Sequence, residues 1–225
     1  MSDFAEVVQA ATLAVAALMP IVNPLGSAPI FLSMTADLPT PARRQLSRRV
    51  GWNSFLLLAA AMLVGSHVLR IFGISVPIVR VGGGLLVIAS GWRLLNADDG
   101  ASQARQPTVK DAWEREVARR AFYPLTFPLT VGPGSISIAI TLGAGISAFG
   151  TSGLVHLVSD VVGVGVVSVC VYLSYRFASR LISFLGDTGA TVFLRLSAFI
   201  LLCVGVSIMW SGVSELLRPL LAVRR

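Results

Sequence analysis

Two apolar runs, each long enough to cross a membrane, carry prolines inside them. The first contains Pro20-Ile21-Val22-Asn23-Pro24-Leu25-Gly26-Ser27-Ala28-Pro29. The second contains Pro124-Leu125-Thr126-Phe127-Pro128-Leu129-Thr130-Val131-Gly132-Pro133-Gly134-Ser135. Proline has no N–H to donate and its ring collides with the preceding turn, so neither run can be one regular helix. Both spell Pro-x-x-x-Pro-Leu, then Gly and a further Pro, which points to a duplicated chain. In a bilayer, irregular backbone survives only where protein buries it or where it lines a wet cavity. The two interruptions are therefore expected to form the walls of a binding site.

Composition supports the membrane reading. Hydrophobic residues make up 55% of the chain and charged residues only 13%, against about 25% charged in an ordinary soluble domain. The 225 residues leave room for about six spans of ~20 residues each. The net charge of +7 is carried almost entirely by arginines between apolar runs. Orientation signals are placed in that way, and the pattern argues against nucleic acid as a partner. Cys170 and Cys203 sit among Val and Leu and read as small core hydrophobes rather than a disulfide. The acidic Asp3 and Glu6, with no basic stretch, predict that the first run is retained rather than cleaved as a signal peptide.

The apolar runs are 4–34, 50–69, 78–95, 121–148, 154–175 and 191–217, with loops at 36–49 and around 186–189. The stretch 96–120 carries charges of both signs and reads as a linker between a first half, 1–95, and a second, 121–225. Run three opens on Arg80-Val81-Gly82-Gly83-Gly84, and run six on Arg195-Leu196-Ser197-Ala198. Each half thus reads as a broken helix, a plain helix and a helix led by arginine. Three spans per half is odd, so the second half enters from the opposite face, the inverted-repeat build of many secondary transporters. The fold expected is all-α and polytopic, with six transmembrane helices in two inverted three-helix repeats. Helices 1 and 4 are broken near the midplane. Arginines after runs one, three and five mark those loops as cytoplasmic, which puts both termini outside.

The residues "PIVNPLGSAPIF", 20–31, and "FPLTVGPGSIS", 127–137, resemble the two signatures of the MarC family of bacterial inner-membrane proteins. Arg80 and Arg195 at the heads of small-residue helices are also similar to that family. The resemblance covers nearly the whole chain. It implies six spans in the cytoplasmic membrane and transport of small neutral amino acids. The length and charge of 96–120 depart from the family pattern.

The groups that could bind a ligand lie at the breaks. A helix that restarts after Gly134 exposes first-turn amides, and its dipole favours an anion there. Gly132, Gly134 and Ser135 could receive an amino-acid carboxylate. The same argument applies to Gly26 and Ser27, with Asn23 offering a donor and an acceptor. The plainer alternative is a pair of kinks held by neighbouring helices. Thr130 and its neighbours add small polar groups and no acid, which fits a neutral or zwitterionic solute. Arg80 and Arg195 are candidate gate charges or clamps, with Asp160 a candidate partner of Arg80; snorkelling to the headgroups is the alternative. His67 and His156 fall near helix ends and read as interfacial.

No cluster has metal-ligand spacing, and no nucleophile–base grouping or phosphate loop is present, so neither an enzyme nor a cofactor is expected. A coupling proton or sodium ion is left open, as is a homo-oligomer, and lipid is the surrounding partner. The reading is a secondary transporter of small neutral amino acids. The alternatives are a non-transporting scaffold or regulator, and an exporter of another small solute.

Overall fold

The computed structural model describes residues 2–96, 117–144 and 151–222. Its helices are α1 Ser2–Val22, α2 Pro24–Met34, α3 Thr40–Ile71, α4 Val76–Leu95, α5 Pro133–Ala144, α6 Thr151–Arg176 and α7 Ala178–Ala222. An irregular segment, Ala121–Thr130, leads into α5. No strand occurs among the described residues. Most of the expected linker, 97–116, and the end of the fourth run, 145–148, lie outside them.

Four stretches are long and apolar enough to cross a membrane: Val7–Leu32, Thr40–Ile71, Val155–Arg176 and Thr191–Arg218. A fifth is the bent pair Val117–Thr130 and Pro133–Ala144. The sixth expected span, α4, is not among them, although its 20 residues would reach ~30 Å.

The plain helix of the first half, α3, starts ten residues before the expected boundary. The arginine-rich stretch read as a loop is helical from Thr40, with Pro39 as cap residue and a proline in the first turn. Arg and Gln are good helix formers and proline suits a helix start, so this stretch continues the span out of the bilayer. At 32 residues, α3 is ~48 Å long, well over a ~30 Å hydrocarbon core. The expected turn near 186 is a single break at Gly186, whose φ of +67° suits a residue without Cβ.

The two breaks differ in kind. The first is one residue wide. Asn23 sits at φ +43°, and the amides of Asn23 and Ser27 still donate to Met19 O and Asn23 O at 2.9 and 3.0 Å. Val7–Leu32 therefore passes through as one span. The second is a ten-residue irregular stretch followed by a 74° bend. Its sequence is an aromatic-Pro-Leu-Thr unit written twice, Tyr123–Thr126 and Phe127–Thr130. Each aromatic residue is extended, Tyr123 at φ −119°, ψ 124° and Phe127 at φ −118°, ψ 126°, as a residue before proline prefers. Each threonine hydroxyl then donates to the carbonyl five residues back, Thr126 to Ala121 O and Thr130 to Leu125 O, both at 2.6 Å. Each unit thus gives a carbonyl inside the interrupted stretch a side-chain donor.

Small residues set the packing. Helices α4 and α7 run antiparallel with their backbones in contact. A Cβ on Gly84 would lie 2.6 Å from Met209 N, one on Gly91 2.9 Å from Leu202 N, and one on Gly212 2.6 Å from Pro77 O. The small residues recur every seven positions, Gly84 and Gly91 facing Ala198, Gly205 and Gly212. Lipid offers no hydrophobic drive to pair helices, so close backbone approach and dispersion must supply it. Elsewhere Gly163 admits Ala14 of α1 against α6, and Gly143 admits the Met62 backbone of α3 against α5. Helix α2 rests on α7, and α5 rests on α4.

Candidate functional site

Asn23 is fixed at the start of α2. Its Oδ1 accepts from Gly26 N at 3.1 Å, the N-cap arrangement that satisfies a first-turn amide. A Cβ on Gly26 would fall 2.3 Å from Asn23 Nδ2, so residue 26 must lack a side chain for the cap to close. Ser27 Oγ donates to Asn23 O at 2.9 Å. Pro24 has no N–H, so the Pro20 carbonyl has no helical donor. Replacing Asn23 with Ala is expected to lower stability by about 2 kcal/mol, from the lost cap and the positive φ forced on a Cβ residue. Asn23→Gly, which keeps the backbone and loses only the cap, should cost about half as much. Thermal melts in detergent would read both, and equal melting temperatures for the two variants would refute the argument.

Asn23, Gly26 and Ser27 line a cavity of about 40 Å³ with Leu129 of the irregular segment and Leu194, Ser197, Ala198 and Leu201 of α7. That space suits a few waters. It joins groups from both interruptions with α7, the helix that carries Arg195.

Thr130 comes to the same region by a route the sequence did not reveal. The Tyr175 hydroxyl of α6 bonds Thr130 Oγ1 at 2.7 Å and also lies against the Ser27 hydroxyl. Its ring stacks on Phe31 of α2 with centroids 4.4 Å apart, and the residue is 3% exposed. One phenol thus ties the first break to the second. Buried tyrosines need a partner for their hydroxyl, but nothing in the local sequence marks this one among the apolar residues of α6. Tyr175→Phe is expected to cost about 1 kcal/mol in stability through the lost hydrogen bond. A thermal melt unchanged within error would contradict the link.

Gly132, Gly134 and Ser135 are not among the residues that line the cavity at Asn23. A Cβ on Gly134 would meet Val87 Cγ2, and Gly83 of α4 leaves room for Ser137, whose hydroxyl donates to Val79 O at 3.0 Å. Ser135 Oγ donates to Gly132 O at 2.9 Å, and Ile136 N donates to the same carbonyl at 3.1 Å. Pro133 has no amide hydrogen. The amides of Gly134 and Ser135 are first-turn donors with no acceptor within the helix itself.

The charged candidates separate. Arg80 pairs with Glu215 of α7, and its Nε also reaches Thr141 Oγ1 at 3.4 Å. The expected pairing with Asp160 is thereby corrected. Antiparallel pairing of α4 and α7 sets 80 beside 215, a neighbour no sequence spacing foretold. Asp160 is buried on α6 with His156 one turn before it. Arg195 is half-buried on α7.

A further ion pair went unnoticed in the sequence. Arg120 bridges both oxygens of Asp37 at 2.9 Å, with the two side chains 18% and 3% exposed. It joins the end of the first broken span to the start of the second.

Several helices long and apolar enough to cross a membrane, two of them interrupted at small polar residues, define a multi-pass helical membrane protein. The chain belongs to the MarC family of integral membrane proteins, whose model matches residues 8–217. It is 30% identical to membrane protein YvbG of Bacillus subtilis over 87% of this chain and 90% of that one. It is 29% identical to inner membrane protein MarC of Citrobacter koseri, and 28% to that of Escherichia coli, each over 95% of this chain and 98% of the relative. No solved structure matches it.

Proposed function

We propose that this protein is a secondary transporter of small neutral amino acids, built as two inverted three-helix halves and working by alternating access. The observation that carries this reading is the reciprocal seating of the two restarted helices. Helix α2 of the first half lies on α7 of the second, and α5 of the second lies on α4 of the first. In transporters of this build, half-helix starts and unwound carbonyls at the repeat interface hold the substrate. Here the amides of Gly134 and Ser135 suit a carboxylate, and the Pro20 carbonyl, left without a donor, suits an ammonium group. The residues lining the small cavity at Asn23 include no carboxylate, so a cationic side chain would lack a partner. The 40 Å³ space corresponds to a closed conformation that must widen to admit a solute.

The test is flux of labelled alanine, glycine and serine in proteoliposomes under imposed proton and sodium gradients. Substrate-specific uptake or release is expected, weakened by Asn23→Ala and by Ser135→Val. Absence of flux for all three under every gradient would end the reading. Six spans with both termini outside make a separate expectation. Tags at both ends should be accessible in intact spheroplasts, and protection of either tag would break the topology.

A further inference from the structure

A groove of about 760 Å³ runs between α3 and α6 at the arginine-rich end of the molecule. Its rim carries Gln45, Arg48 and Arg49, its middle Trp52, Asn53 and Tyr172, and its lower part Phe55, Gly165 and Val169. From Gln45 to Phe55 the helix advances ~15 Å, roughly half a hydrocarbon core. The groove therefore grades from cationic through aromatic to apolar along the direction of the membrane normal. Among the described residues, no hydrogen bond or ion pair engages Arg48 or Arg49. A third cation, Arg176, stands 5.9 Å over the Tyr172 ring. No carboxylate lines the groove. Trp52 is 61% exposed and leans on Phe55 at 5.7 Å, the position of an interfacial aromatic. The floor is open at Gly165, where an added Cβ would meet only the edge of Phe55 at 4.0 Å.

We infer that this groove holds one anionic phospholipid, its phosphate between Arg48 and Arg49 and an acyl chain lying over Phe55, Gly165 and Val169. Charge complementarity decides the occupant. Basic pockets between spans on the cytoplasmic side suit anionic headgroups, and arginine excess places this end there. A second copy of the chain would set its own arginines against these and be repelled. The inference stands apart from the transport reading.

The test uses delipidated protein in non-ionic detergent, titrated with dioleoyl phosphatidylglycerol or dioleoyl phosphatidylcholine and followed by native mass spectrometry and thermal melting. Phosphatidylglycerol is expected to stay bound and raise the melting temperature; phosphatidylcholine is not. Each arginine near an anionic headgroup contributes about 1 kcal/mol, so R48Q/R49Q should weaken phosphatidylglycerol binding on the order of thirtyfold at low salt. Arg44→Gln, at the same end but outside the groove, should match the parent. Gly165→Leu fills the groove, leaves both arginines in place and should abolish lipid retention, which keeps the test decisive if the double variant misfolds. Equal binding of the two lipids, or full retention by Gly165→Leu, would overturn the inference. So would a lipid-free dimer that Gly165→Leu dissociates, because the groove would then belong to a second copy.

Discussion

Gly84→Leu is expected to destabilise the protein by 3 kcal/mol or more, while Gly82→Leu, two residues away, should change stability by about 0.5 kcal/mol or less. The contrast is steep because a Cβ at 84 lands on the backbone of α7, 2.6 Å from Met209 N and 2.8 Å from Gly205 O. A Cβ at 82 meets nothing within 4 Å. Backbone cannot rotate away as a side chain can, so the helices must part along their seam and forfeit its dispersion contacts. Chemical or thermal unfolding of the two variants in the same detergent gives the comparison. A Gly84→Leu protein as stable as the parent would mean that α4 and α7 do not meet as described.

Arg120→Leu should cost about 3 kcal/mol, because it strands a carboxylate that is 3% exposed without its main counter-charge. The double variant Arg120→Leu, Asp37→Asn removes the stranded charge and should recover most of the loss. Exposed pairs contribute little and are screened by salt, whereas this one should keep its effect at high ionic strength. If the single variant melts with the parent, or the double variant falls lower still, the pair does not clamp the two broken spans.

Much of the helical plan was legible in the residues. Apolar runs marked the spans, and a proline stands at each restart; the second, expected after Gly134, begins two residues earlier at Pro133, since proline is favoured at a helix start and punishing inside. The start of α3 was misread because arginines beyond a bilayer resemble a loop, although their helix propensity is high. The matched spelling of the two breaks suggested matched shapes. Yet the first keeps its ladder on either side of Asn23, and the second is interrupted twice within ten residues, at the extended Tyr123 and Phe127. The tandem aromatic-Pro-Leu-Thr unit was the available sign of that difference. At the site, Asn23, Gly26 and Ser27 were found together from sequence because a cap is local. Tyr175, Glu215 and Asp37 were missed because each meets a partner 45 to 135 residues away, and only the packing brings them close.

The glycine seam between α4 and α7 also bears on how the chain can be made. Every helix of the first half finds a major neighbour in the second: α1 on α6, α2 on α7, α3 on α5 and α6, α4 on α7. Neither half owns a complete interior, so a ribosome that stopped after residue 95 would release a fragment with naked glycine faces and nothing to clasp. Cutting the gene between the halves and supplying both pieces together should rebuild the protein in the membrane, and either piece alone should be prey for quality-control proteases.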